Sequence, residues 1–89
     1  MQRRIVIYAG RVQGVGFRAT AQSIASRHRV TGWVRNEPDA TVRLEIQGAA
    51  DEVEAVLRAI AARLHGFISS SRAHEAAAVP DESGFEIRR

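Results

Sequence analysis

One stretch of the chain constrains it most. Gly10-Arg11-Val12-Gln13-Gly14-Val15-Gly16-Phe17-Arg18 places three glycines in seven positions, between the β-branched run Ile5-Val6-Ile7-Tyr8-Ala9 and an apolar stripe at 17, 21, 24, 25 and 28. The run is too short for a helix and is bounded by glycine, so it predicts a buried central strand. The stripe has helical spacing and predicts a helix from about residue 18 to about residue 28. The glycine-rich stretch is then a loop that delivers the chain to a helix N-terminus. Glycines let successive backbone N–H groups turn inward as a concave nest, and the helix start adds unpaired N–H groups and about half a positive charge. Arg18 adds a full charge and a bidentate fork. The combination fits a compact oxyanion such as a phosphoryl group. A plain glycine-rich turn with a solvated arginine has the same spacing, and the pattern alone leaves both readings open.

Further along, Val30 to Asn36 alternates, with Gly32, Val34 and Asn36 on one face and Thr31, Trp33 and Arg35 on the other. Val42, Leu44 and Ile46 alternate in the same way against Thr41, Arg43, Glu45 and Gln47. Glu37-Pro38-Asp39-Ala40 between them carries turn chemistry, which makes the pair a hairpin. Val53, Val56, Leu57, Ile60, Ala61 and Leu64 keep helical spacing, with Asp51, Glu52 and Glu54 at the start and Arg63 near the end, both favourable to the helix dipole. After Gly66, Ser69 to Val79 offers little bulk, and a strand is expected there; Pro80 to Gly84 is a turn, and Phe85 and Ile87 alternate with Glu86 and Arg88 in a final strand. This order predicts an α+β, ferredoxin-like two-layer sandwich: β-α-β-β-α-β plus a short fifth strand, with two helices on one face of a mostly antiparallel sheet.

Several classes are excluded or disfavoured. At 89 residues the chain has room for a single domain, 1–89, and its 45% hydrophobic content is ordinary for a globular one. No cysteine is present, which removes disulfides, thiolate catalysis and zinc ribbons, and His28, His65 and His74 lack close ligand spacing, so neither metal nor cofactor is expected. No apolar run approaches the ~18 residues of a membrane span, and Met1-Gln2-Arg3-Arg4-Ile5 opens no leader pattern. A soluble, cytoplasmic monomer is expected. All thirteen basic residues are arginine and the net charge is +3, but they are spread along the chain, which argues against a nucleic-acid footprint. Gly14-x-Gly16-x-x-Ala19 satisfies a dinucleotide fingerprint. It is a decoy, because the next strand turns straight into a hairpin and the chain is too short for two mononucleotide halves.

Gly10-Arg11-Val12-Gln13-Gly14-Val15-Gly16-Phe17-Arg18 followed by Gly32-Trp33-Val34-Arg35-Asn36 resembles the two signatures of the acylphosphatase family, at the family's separation. The resemblance extends over the whole chain, through Gln47-Gly48 before the second helix to Phe85-Glu86-Ile87-Arg88. It implies a five-stranded ferredoxin-like sandwich and hydrolysis of acyl phosphates to a carboxylate and inorganic phosphate. By the same resemblance, Arg18 and the backbone of Gln13, Gly14, Val15, Gly16 and Phe17 bind phosphate, and Asn36 positions the attacking water. Two departures stand out. Ala40 lies where family members often carry glycine, and the fourth strand offers Ala73, Ala76 and Ala78 where bulkier residues are common.

The chemistry agrees with the resemblance. A cation, a nest and an amide are present, with no His, Asp or Glu to shuttle protons. A phosphomonoester leaves as an alkoxide and is among the slowest substrates uncatalysed, whereas an acyl phosphate expels a carboxylate whose conjugate acid has a pKa of about 4. No general acid is then needed. Asn36 also reads as a turn residue before Glu37-Pro38; Ser69, Ser70, Ser71 and His74 read as a solvated cluster, Trp33 as core or sheet cover, and His28 as helix-terminal packing. The rival class is a non-catalytic sandwich, either an RNA-binding sheet or a segment of a larger carbamoyl-transfer maturation protein. Stacking aromatics are scarce for the first, with only Tyr8 on the first strand and none on the third. The length disfavours the second.

Overall fold

The computed structural model describes residues 1–89. The elements run β1 (Gln2–Gly10), α1 (Phe17–Ala25), β2 (Val30–Asn36), β3 (Val42–Gly48), α2 (Ala50–Arg63), β4 (Ile68–Ala76) and β5 (Phe85–Arg88). They form one five-stranded sheet in the order β4-β1-β3-β2-β5, antiparallel except for the parallel β2–β5 pair. The architecture is the α+β ferredoxin-like sandwich that the element order predicts.

The core lies between the sheet and the two helices. Val6 and Tyr8 of β1, Val34 of β2 and Val42, Leu44 and Ile46 of β3 meet Phe17, Ala21 and Ile24 of α1 and Val53, Val56 and Ile60 of α2. Strand periodicity of two and helix periodicity near 3.6 put these residues on the facing sides without exception. β1 is interior, flanked by β3 and β4, but it is buried on one face only: Val6 and Tyr8 are buried, while Ile5 and Ile7 are half-buried on the opposite face. Its continuous apolar run reflects two unequal faces rather than a strand covered on both sides.

Helix α1 stops at Ala25, three residues short of the expected end. Ser26 N–H still reaches Gln22 O, but Arg27 N–H and His28 N–H bond to Ile24 O and Ala25 O, so the backbone tightens to three-residue spacing. His28 leaves the helical stripe, and its Nδ1 lies 3.2 Å from Glu52 Oε1 at the start of α2. The fourth strand exists despite its small side chains. Its backbone pairs with β1 from Arg3↔Ala76 to Gly10↔Ile68, and its residues are largely exposed. Ladder hydrogen bonds to a well-buried neighbour define it, and burial contributes little.

The sheet face away from the helices carries its own polar layer. Arg3, only 3% exposed, donates to Glu45 Oε1, Gln47 Oε1 and both carboxylate oxygens of Glu82. Thr31 also donates to Glu82, and Gln47 exchanges two hydrogen bonds with the Val79 backbone. These contacts tie the β4–β5 connection across the sheet. Trp33, 7% exposed, lies beneath the guanidinium groups of Arg35, Arg43 and Arg88 at 4.9, 5.8 and 4.6 Å from its ring centroid. It is sheet cover, as expected, and its ring is capped. Tyr8 points the other way and packs on Phe17 with centroids 4.9 Å apart. Neither ring lies open on the sheet surface.

Candidate active site

The loop between β1 and α1 departs from ordinary backbone where the sequence places glycine. Gly14 and Gly16 have φ of 77° and 78°, in the left-handed region. A Cβ at either position would meet nothing within 4 Å, so the backbone angle, and not space, calls for glycine. Gly16 is the N-cap of α1 and supplies no side chain to close the helix start. The first helical hydrogen bond runs from Thr20 N–H to Gly16 O, and none of the N–H groups from Val12 to Gly16 finds a backbone acceptor. These N–H groups are left without a backbone partner next to a helix start, a combination that favours an anion.

Gln13 fixes the loop to its neighbour. Its Nε2 donates to Glu37 O and Thr41 O, both at 2.9 Å. These carbonyls flank the β2–β3 turn, so the side chain holds the glycine loop against the end of the strand that carries Asn36. The turn itself closes through Glu37 N–H to Thr41 O, with Asp39 Oδ1 accepting from the Thr41 hydroxyl and N–H. Those two hydrogen bonds hold the Asp39 carboxyl below its usual pKa. Ala40 adopts φ 74°, so this turn accepts a left-handed alanine.

A cavity of about 480 Å³ opens over the loop, lined by Val12, Gly14, Gly16, Phe17, Arg18, Ala19, Asn36, Ile87 and Arg89. Of the residues expected at the site, Gly14, Gly16, Phe17, Arg18 and Asn36 meet here. The side chains of Gln13 and Val15 do not line it: Gln13 reaches the hairpin and Val15 packs on the core. Arg18 makes no ion pair and no side-chain hydrogen bond. Asn36 shares the helix-side face of β2 with Val34, and its Oδ1 is buried without a hydrogen-bond partner. An orphaned amide oxygen of this kind costs about 1–3 kcal/mol, and Gln2 Oε1, at the other end of the sheet, is left in the same state. The cavity thus combines a free guanidinium, unpaired N–H groups and one unpaired acceptor, with no Asp or Glu side chain on its walls.

Ile87 and Arg89 were not anticipated at the site. The parallel pairing of β5 with β2, Val34↔Ile87 and Arg35↔Arg88, brings them beside Asn36. Sequence periodicity finds β5 but not the strand it joins, so these positions had no signal to connect them with a loop some seventy residues earlier. Ser69, Ser70, Ser71 and His74 lie on the exposed edge strand β4, away from the cavity.

Residues 4–87 match the family model for acylphosphatase. An acylphosphatase of Methanospirillum hungatei is 43% identical over 90 residues, covering 100% of this chain and 99% of the relative. One from Geobacillus thermodenitrificans is 41% identical over 88 residues, covering 98% of this chain and 94% of the relative. The crystal structure of acylphosphatase from Bacillus subtilis superposes with a TM-score of 0.88 at 26% identity, over 100% of both chains. With a full-length match in sequence and in fold, this chain belongs to the acylphosphatase family, enzymes that hydrolyse acyl phosphates.

Proposed function

We propose that hydrolysis proceeds by in-line attack of a water held by Asn36 on a phosphoryl group bound by Arg18 and the backbone N–H groups of residues 13–17. The orphaned Oδ1 of Asn36, beside a free guanidinium in one cavity, carries this reading. Phosphoryl-transfer states are loose, so the equatorial oxygens need fixed positive charge and N–H donors, and the nucleophile needs orientation more than deprotonation. Arg18 and the loop supply the first. Asn36 supplies the second, because its amide oxygen accepts from the water and leaves an oxygen lone pair directed at phosphorus.

The balance closes without a protein acid or base. The P–O bond to the acyl oxygen breaks, the carboxylate departs with the bonding pair, and the water oxygen forms the new P–O bond. Both water protons end on the product phosphate. Fixed positive charge comes from the guanidinium and the helix start, so no divalent ion is called for. A single chain carries every residue named, and the reading treats the enzyme as a monomer.

Asn36→Ala tests it. Losing about 1 Å of nucleophile alignment can cost about 10²-fold, so kcat should fall at least that far. Competitive inhibition by inorganic phosphate should change by less than about threefold, since the amide touches the nucleophile more than the bound phosphoryl group. Weakened phosphate inhibition with kcat preserved would instead place Asn36 among the phosphate ligands.

A further inference from the structure

The proposed reaction needs two parts of the chain at a fixed separation, and the sheet does not join them directly. Tyr8 of β1 lies opposite Val42 of β3, and Val42 lies opposite Asn36 of β2. Asn36 is therefore two strand spacings from β1, roughly 9–10 Å, while the glycine loop continues from the end of β1. On its far side the loop is tied by its backbone, through Arg11 N–H to Phe67 O ahead of β4. No backbone hydrogen bond joins residues 11–16 to the hairpin at 36–42. The link is made by one side-chain amide: Gln13 Nε2 donates to Glu37 O and to Thr41 O, each at 2.9 Å. Those carbonyls already close the turn, since Thr41 O accepts from Glu37 N–H and Glu37 O accepts from Ala40 N–H. Gln13 thus spans the mouth of the turn directly after Asn36. Both of its partners are acceptors, so the position calls for N–H donors, and a carboxylate there would face two carbonyl oxygens.

From this placement we infer that the Gln13 side chain is a positioning residue for the hydrolysis: it sets the distance between the phosphoryl cradle and the Asn36 amide, and with it the line of the attacking water. The inference rests on the proposed roles of Arg18, the loop backbone and Asn36. It concerns the side chain alone, as distinct from the Gln13 N–H group in the cradle. The loop keeps its shape without that side chain, because Gly14 and Gly16 set its left-handed turns and Arg11 N–H anchors it. What the amide adds is the place of the loop relative to the end of β2. A displacement of about 1 Å between bound group and nucleophile can cost about 10²-fold in rate, with no contact to the reacting atoms lost.

The test is a double-mutant cycle on benzoyl phosphate, with inorganic phosphate as the competitive inhibitor. Gln13→Met keeps the length of the side chain and removes both donors. Its kcat should fall by about tenfold or more, with phosphate inhibition within about threefold of the parent. In an Asn36→Ala background the same substitution should cost less than about twofold in kcat, because the group it positions is gone. Gln13→Glu adds a pH readout on a single folded protein. Its carboxylate repels the two carbonyls, whereas its protonated form restores one hydrogen bond, so its kcat relative to the parent should rise from about pH 7 to about pH 5. The same ratio for Gln13→Met should stay flat. A kcat within about twofold of the parent in Gln13→Met, a loss undiminished by Asn36→Ala, or a flat ratio for Gln13→Glu overturns the inference and leaves the roles of Arg18 and Asn36 standing. Phosphate inhibition weakened as much as kcat would make the side chain part of the cradle and overturn it too. If Asn36→Ala alone keeps the parental kcat, the reading of Asn36 falls, and the positioning role falls with it.

Discussion

Two sets of arginines divide this molecule. On the open sheet face, Arg3 meets Glu45 and Glu82, Arg35 meets Glu37, Arg43 meets Glu45, and Arg88 meets Glu86. Around the glycine loop, Arg18 and Arg89 share a cavity with no Asp or Glu side chain on its walls, and neither makes an ion pair. The same side chain thus serves two ends. Paired and layered over Trp33, it seals a sheet face; unpaired beside the glycine loop, it is the anion ligand of the proposed reaction. In a chain whose basic residues are all arginine, lack of a carboxylate partner does not by itself mark a binding residue, since Arg11, Arg27, Arg29, Arg58, Arg63 and Arg72 are unpaired too; what sets Arg18 apart is its place in the cavity over the glycine loop.

The sharpest way to break that division is Arg18→Lys. A lysine keeps the charge but is a point donor and cannot form two parallel N–H contacts. Loss of kcat/KM by about 10³-fold, roughly 4 kcal/mol, is expected, with the thermal midpoint little changed because no intramolecular partner is lost. A variant within about threefold of the parent would show that the fork is not used.

The mirror experiment is Arg3→Met, which removes the centre of the paired set. It leaves Glu45 and Glu82 half-buried without their shared cation, a change that costs about 3–5 kcal/mol when the charges are fully buried and less at this exposure. The expected result is a large fall in the midpoint of urea unfolding with kcat/KM on a simple acyl phosphate largely kept in the folded fraction. Loss of activity with unchanged stability would mean that the clamp under the β4–β5 connection acts on the site.

Much of this division was legible before the fold, and the reason is local. The strand–glycine loop–helix passage, the alternation at 30–36 and 42–48 and the apolar stripe of α2 are short-range patterns, and each element appears where the pattern puts it, apart from the end of α1. Arg18 and Asn36, which line one cavity, each lie in a short local signature. Ile87, Arg89 and the Arg3 clamp depend on which strands become neighbours, and β5 joins β2 in parallel across about fifty residues. The end of α1 differs for another reason: His28 keeps the helical spacing in sequence, but the backbone tightens to three-residue hydrogen bonds after Ala25, and its side chain lies against Glu52 of α2.

Acid should blur the same contrast at smaller cost. Burial alone would raise the Glu45 pKa, but hydrogen bonds from Arg43 and Arg3 hold it below the usual value. A depressed carboxylate contributes stability above its unfolded pKa, near 4.3, and loses it as pH falls through the folded value. Glu45→Gln should therefore lower the thermal midpoint clearly at pH 7 and much less near pH 3. An equal gap at both values would show that packing, not charge, makes Glu45 matter.

The smallest expected effect concerns the turn that carries Asn36 toward the loop. Ala40 holds φ 74°, a region that costs an L-residue roughly 1–2 kcal/mol. Ala40→Gly removes that strain, but glycine gains about 0.4–1 kcal/mol of unfolded-state entropy, which offsets about half of the relief or more. The net gain is about 0.5 kcal/mol, or a rise of about 2–4 °C in Tm for a domain of this size. The surrounding contacts should keep the turn closed in either variant. Glu37 N–H to Thr41 O, Asp39 to Thr41 and the two Gln13 donors do not involve the Ala40 side chain. Activity should then follow the folded fraction alone. A fall in Tm would show that the methyl group of Ala40 contributes more to the turn than its backbone angle costs. A change in kcat at constant Tm would show that the rigidity of this turn, and not only the amide at its start, sets the alignment of Asn36.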